Sequence, residues 1–206
     1  MTLDLSACWF DPLRPALARV AIDPLPDARA LQAAFGDRIA PFRFEPQTHK
    51  RGRGALDFDA LYEVRIALHG VIPTRTHVHD LMNALVWATF PRSKRALAER
   101  QHRALVAQVG ERPTQLPNAR TRERDVLAMI DEGGVLSVGS ELLIFGHAIY
   151  EHLGTTDAPV RGFPIVLEAG VELDAAFAAR LRTFDASAVR VPALRITRTS
   201  ASHDPV

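Results

Sequence analysis

Two histidines, an aspartate and an asparagine crowd the head of an apolar helical run in Thr74-Arg75-Thr76-His77-Val78-His79-Asp80-Leu81-Met82-Asn83-Ala84-Leu85-Val86-Trp87. At about 100° per residue, His79, Asp80 and Asn83 fall on one side of such a helix within its first turn and a half, so they can reach a common point. Imidazole, carboxylate and amide groups are costly to bury unless each finds a hydrogen bond, an ion pair or a metal. The stretch therefore predicts either a polar network or an active site. The structural alternatives are specific. A first-turn carboxylate such as Asp80 is favoured by the helix dipole, and His79 and Asn83, four apart, could bond each other.

A second cluster, His147 and Glu151, has the four-residue spacing that aims two side chains in one direction from a helix, as in many helical metal sites. The same spacing also suits an ordinary surface ion pair. Asp125 and Glu132 share a helix face seven residues apart, with Arg122 and Arg124 close enough to neutralise Asp125, so pairing is the expected role there. With His77 and His102 added, imidazoles and carboxylates are in surplus around the expected core. This is the mixture a zinc, iron or manganese site uses. A divalent cation lowers the pKa of bound water to about 7 and makes it a nucleophile at neutral pH. The expected metal ligands are His79, His147, Glu151 and His102. Asp80, Asn83, Asp125 and Arg75 are the expected catalytic groups, Asp80 as base or fourth ligand and Arg75 or Arg124 as the anchor for an anionic substrate group.

The elements that must position these residues follow from periodicity and punctuation. Prolines 12, 15, 24, 26, 41 and 46 cut the N-terminal third into two brief helices and an extended Phe42-Arg43-Phe44 segment. His49 to Gly54 is basic and glycine-spaced and predicts a surface loop. Phe58 to Leu68 has helical spacing and is closed by Gly70 and Pro73. The helix from His79 is apolar nearly all round (Leu81, Met82, Leu85, Val86, Trp87, Phe90), which predicts burial on most faces. Ser93 to Val109 is amphipathic, and Asn118 to Glu132 reads as a helix stopped by Gly133-Gly134. Val135 to Val138 reads as a short strand, Glu141 to Leu153 as a helix capped by Ser140, Pro164 to Glu168 as a strand and Asp174 to Phe184 as a last helix. The expected fold class is α+β: a mainly helical single domain over residues 1–206, with a central buried helix, a small peripheral sheet and a tail that frays over 200–206.

Composition narrows the function classes. The 206 residues, 47% hydrophobic and 24% charged, suit one globular domain with a real core. A formal net charge of +1 gives no general drive toward nucleic acid or anionic membrane. Nearly all the positive charge is arginine, Lys50 and Lys94 being the only lysines, and this reads as coding bias. One cysteine, Cys8, excludes an internal disulfide framework and fits a reducing cytoplasm. No segment has the roughly 20 apolar residues that span a bilayer, and no secretory signal is read at the N-terminus. No phosphate-cradling glycine loop, dinucleotide fingerprint or nucleophile elbow is present, so no nucleotide cofactor is expected.

The block Pro73-Thr74-Arg75, His79-Asp80, Asn83-Ala84-Leu85-Val86-Trp87, Phe90-Pro91-Arg92 and Lys94, followed by Arg124-Asp125, Asp131-Glu132 and Phe145-Gly146-His147 through Glu151, resembles the bacterial domain of unknown function 3025 family. The resemblance spans roughly residues 60 to 155. Val78 stands where the family's tryptophan is expected before His-Asp. The resemblance implies a bacterial cytosolic domain and directs attention to His79, Asp80, Asn83, Asp125, His147 and Glu151, but it brings no activity.

Two function classes follow. One is a metal-dependent hydrolase-like enzyme acting on a small or anionic substrate. The other is a non-catalytic binding or assembly module whose buried His/Asp/Asn network is structural while another surface engages a protein partner. Convergence on a partly open pocket favours the first, and full mutual satisfaction without an opening favours the second.

Overall fold

The computed structural model describes residues 3–47, 57–111, 113–183, 185–186 and 193–203. The loop expected at His49 to Gly54 lies outside them. After a 3-10 helix (Cys8–Leu13) come α1 (Arg14–Leu17), α2 (Ala28–Ile39), β1 (Arg43–Pro46), α3 (Tyr62–His69), β2 (Val71–Thr74), α4 (Val78–Thr89) and α5 (Pro91–Val109). The C-terminal half adds α6 (Arg122–Gly133), β3 (Gly134–Val138), β4 (Glu141–Ile144), α7 (His147–Thr155), β5 (Val160–Leu167), α8 (Leu173–Thr183), β6 (Leu194–Ile196) and β7 (Ala201–His203). The result is an α+β fold, largely helical, with a two-stranded parallel pair β1-β2 and a five-stranded sheet in the order β4-β3-β5-β6-β7. In the larger sheet only β3 and β5 run parallel, joined through β4 and α7, and the other pairs are antiparallel.

The centre is α4, as its all-round apolarity predicts. Every residue from Leu81 to Ala88 is buried, Met82, Ala84, Leu85 and Val86 completely. It packs on α7, α2 and α5 within one continuous core that includes Phe10, Phe35, Leu127, Phe145, Tyr150 and Phe177. Caps fix the helix starts. Asp27 accepts from the Ala30 amide at 2.8 Å to begin α2, and Thr121, not Asn118, accepts from the Arg124 amide at 3.3 Å to begin α6. Proline opens α5 at Pro91, where its missing N–H costs nothing. The free amides of Arg92 and Ser93 donate to the buried Asp174 carboxylate from the first turn of α8 at 2.9 and 2.8 Å, which ties the two helices together.

Two segments differ from their sequence reading. Glu141 to Leu153 is not one helix: Glu141–Ile144 forms β4, paired with β3 from Val138↔Glu141 to Val135↔Ile144, and the helix begins only at His147. Gly139 with φ of 60° supplies the left-handed residue of the tight hairpin turn. A short apolar run such as Leu142-Leu143-Ile144 carries no period that separates strand from helix, and pairing with β3 decides it. Residues 201–203, where a frayed tail is expected, form edge strand β7 against β6, and 204–206 lie outside the described residues. Among the described residues no helix is long and apolar enough to cross a membrane.

Candidate metal centre

Three elements meet where the polar side chains converge: the first turn of α4, the last turn of α6 and the first turn of α7. The close approach of α6 to α7 depends on glycine. A Cβ at Gly146 would lie 2.5 Å from the Glu132 carbonyl oxygen and from the backbone of Gly133, a distance no side chain tolerates. Without that Cβ, the Phe145 and Gly146 amides both donate to the Gly134 carbonyl at 2.9 Å. Glu132, at the end of α6, is thereby held beside His147, at the start of α7.

His147 is buried and its Nδ1 lies 2.8 Å from the Asp131 carbonyl oxygen. A carbonyl only accepts, so this contact places the proton on Nδ1 and leaves the Nε2 lone pair free. His79 has its Nδ1 2.7 Å from Glu151 Oε2, which fixes the same tautomer. The two Nε2 atoms then face each other at 3.0 Å, with the rings edge to face at 69°. Glu132 Oε2 lies 3.4 Å from His147 Nε2, and one donor atom from each of His79, Glu132 and His147 falls within 4.8 Å of the others. Two lone pairs this close repel unless a cation, a proton or a metal ion, sits between them. Neighbouring ligands about 2.1 Å from one cation and at right angles are about 3.0 Å apart, so the spacing suits a metal. Holding Nδ1 with a carbonyl or carboxylate while Nε2 points inward is the usual outer-shell arrangement of metal-binding histidines.

The electrostatics agree with a neutral imidazole at His147. Burial pushes His147 down to about 3, helped by the charges of Lys94 and His79 against the opposing pull of Asp131. Burial likewise raises the Glu132 carboxyl, as do the charges of Asp131 and Glu151. Asp131 is held below the usual carboxylate range: burial pushes it up, but Lys94 and His147 outweigh that. Lys94, 3% exposed, pairs directly with Asp131 and lies against the faces of Trp87 and Phe145.

The other residues singled out from sequence sit as follows. Glu151 is half-buried and serves as the partner of His79 Nδ1, outside the group of three donors. Asp80 is engaged by Arg75, whose backbone amide donates to Oδ2 at 2.6 Å and whose guanidinium donates to both carboxylate oxygens at 3.0 and 3.2 Å. That bond locks the turn entering α4 and occupies both residues. Asn83 donates to the Tyr62 hydroxyl at 2.8 Å and is not paired with His79. His77 caps α4 by accepting from the His79 amide at 3.2 Å. His102 is on α5 and is not in the donor group. Its Nε2 is buried without a hydrogen bond, and burial lowers its pKa. Asp125 is exposed in the first turn of α6, two turns before Glu132, and Arg124 reaches Gln108 at 3.0 Å and Glu63 at 3.7 Å. The donor that sequence reasoning missed is Glu132. Its signal was the Asp131-Glu132-Gly133-Gly134 string, a carboxylate at a helix end beside glycines that permit close approach.

A helical α+β fold with a histidine/carboxylate cluster between three helix ends defines the class. The arrangement of elements is similar to that in the apo structure of the cold active phenylalanine hydroxylase from Colwellia psychrerythraea 34H, with a TM-score of 0.50 over 90% of this chain and 78% of that one. At 14% identity the likeness is one of fold. Residues 51–143 match the family model described as Protein of unknown function (DUF3025), the family that the sequence motifs resemble. No curated protein matches the chain.

Proposed function

We propose that this chain is a metal-dependent enzyme with one divalent cation held by His79 Nε2, His147 Nε2 and Glu132. The observation that carries the reading is the pair of Nε2 atoms 3.0 Å apart, each aimed inward by a partner on its own Nδ1. Two imidazoles and one carboxylate with open positions are the donor set of non-haem iron(II) oxygenases, and we take iron(II) oxygenation of a small molecule as the first reading. The apolar cleft beside Glu132, lined by Met129, Ile149, Val160 and Phe163, is of the kind that holds a small molecule next to the donor set. The solved neighbour's name, a hydroxylase, agrees, although that likeness carries the fold and not a substrate.

When bound, iron(II) would supply activation of dioxygen, with a reducing co-substrate completing the electron balance. The chain's own residues do the rest. Glu151 and the Asp131 carbonyl keep both imidazoles in the donor tautomer. The Lys94-Asp131 pair ties the end of α6 to α5, and Glu132, with 50% of its side chain exposed, leaves the donor set open to solvent on its side. A zinc hydrolase is the second reading. The same donors hold water-activating zinc, and the exposure of Glu132 gives the water access it requires.

The test is metal analysis of untagged protein reconstituted anaerobically with iron(II), zinc or manganese. Wild type is expected to take up about one equivalent, and His79→Ala, His147→Ala and Glu132→Ala to take up almost none while keeping their secondary structure. Iron(II) with oxygen uptake would select the first reading, and zinc with hydrolysis the second. No uptake by folded wild type would overturn both and favour the binding module.

A further inference from the structure

The cleft beside the donor set is built from the stretches of chain that carry two of the donors. On α6, Met129 stands one turn before Glu132, and Gly133 follows it; on α7, Ala148 and Ile149 come directly after His147. Val160 and Phe163 of β5 close the third side. Packed elements therefore shape the space, and a molecule held between α6 and α7 lies next to the donors. The volume is about 440 Å³, within the range of small-molecule sites. Its floor is buried and its mouth is open: Ile149 and Phe163 are 1% and 5% exposed, whereas Met129, at 44%, is among the few large hydrophobic side chains left open to solvent in the described residues. An unbranched methionine at the mouth adapts to what enters.

Charge is scarce on these walls. Only two lining residues carry one, Glu132 and Arg161. A bound cation would take up Glu132, and Arg161 already has an interaction within the chain. Arg75, the anchor expected from sequence for an anion, is held by Asp80. A charged group entering the cleft would lose its water without gaining a partner, which is costly, whereas a hydrocarbon gains with each methylene it buries. We infer that this cleft is the substrate site of the metal centre and selects an uncharged small molecule with a hydrocarbon body, seated against Met129, Ile149 and Phe163. Its role as a substrate site rests on the metal-dependent reading, but the apolar contacts themselves do not require the metal.

The probes are benzyl alcohol, 2-phenylethanol and hydrocinnamyl alcohol, which differ only in methylene count, with hydrocinnamate as the charged counterpart, titrated calorimetrically into metal-stripped and zinc-loaded protein. Affinity for the alcohols should rise about three- to fourfold per methylene. In the metal-stripped protein, where no cation can bind the carboxylate, hydrocinnamate should bind at least roughly tenfold more weakly than hydrocinnamyl alcohol. Ala148→Leu and Met129→Trp, which fill the cleft from partly exposed positions, should each weaken the alcohol about tenfold or more with the thermal midpoint unchanged. With manganese(II) in place of zinc, the paramagnetic ion should speed proton relaxation of the bound alcohol, and both filling variants should abolish that effect. No saturable binding, affinity flat across the series, hydrocinnamate binding as tightly as the alcohol, or binding indifferent to both variants would overturn the inference. Binding without enhanced relaxation in protein shown to hold manganese would overturn it too. Metal content of the same samples separates the two ideas. Full loading with no probe binding would sink the cleft and leave the centre standing, whereas probe binding to protein that takes up no metal would sink the centre and the substrate role with it.

Discussion

At the scale of single residues, the candidate centre separates groups that touch the cation from groups that aim them. Glu132 and Glu151 both lie within a few ångströms of His79, yet only Glu132 contributes to the group of three donors, while Glu151 holds His79 Nδ1. Loss of function should follow that order. Glu132→Ala is expected to abolish metal uptake, whereas Glu151→Ala should weaken affinity roughly 10–100-fold, the usual cost of losing an outer-shell partner, and competition with a chromophoric chelator would measure both. Equal losses, or the reverse order, would contradict the assignment. Lys94 sits one layer further out. Lys94→Met leaves the buried Asp131 carboxylate unpaired and should cost about 3–5 kcal/mol in a denaturant titration. His79 was legible in the sequence because ligand-type side chains crowd the start of an apolar helix, and His147 because it stands four residues before Glu151 on one helix. Glu132 was not, because an exposed glutamate late in an amphipathic helix looks like any solvated charge until the fold shows what approaches it. Asp80 and Arg75 drew attention for their chemistry, and the structure places both in a turn-locking ion pair.

At the scale of elements, the junction of α6 with α7 is what brings the donors together. Gly146 permits it, and Gly146→Ala must push backbone off backbone, since the atoms it would meet belong to Glu132 and Gly133 rather than to a flexible side chain. Such overpacking typically costs about 1–3 kcal/mol, and the variant should lose metal affinity more steeply than stability because it displaces Glu132 directly. A variant that binds metal normally would show that the junction does not position the site. The α5-α8 contact offers a control away from the centre: Asp174→Ala removes the cap on Arg92 and Ser93 and should cost roughly 0.5–2 kcal/mol with metal binding intact. Helices with complete patterns were readable in the sequence, α4 most clearly, since apolarity on every face leaves no place for it but the centre. Strand β4 was not readable, because Leu142 to Ile144 is too short to carry a period and is a strand only through its partner β3. The same holds for β2, where Val71 to Thr74 gains its identity from the parallel register with Arg43 to Pro46.

At the scale of the whole molecule, one continuous core joins both halves of the chain, so the centre sits on packed elements and inherits their cooperativity. The two tyrosines report on that core. Tyr150 is fully buried and donates to the Ile144 carbonyl at 2.8 Å, and burial pushes its phenol well above the ordinary value. Tyr62 is raised as well, by burial first and then by the charge of Asp131. The folded values lie above the unfolded value near 10, so the unfolded chain loses its phenol protons first as the pH rises. This stabilisation is complete below about pH 10 and is lost above it. Phenolate absorbance should therefore appear together with loss of the circular dichroism signal, and its appearance in the folded protein near pH 10 would contradict the burial. The central claim, a cation between α4, α6 and α7, is tested most directly by anomalous diffraction from crystals loaded anaerobically with iron(II). The account predicts one peak within about 2.0–2.3 Å of His79 Nε2, His147 Nε2 and a Glu132 oxygen. A fully loaded crystal with its peak elsewhere, or with the two imidazoles still in mutual contact and no peak between them, would contradict it.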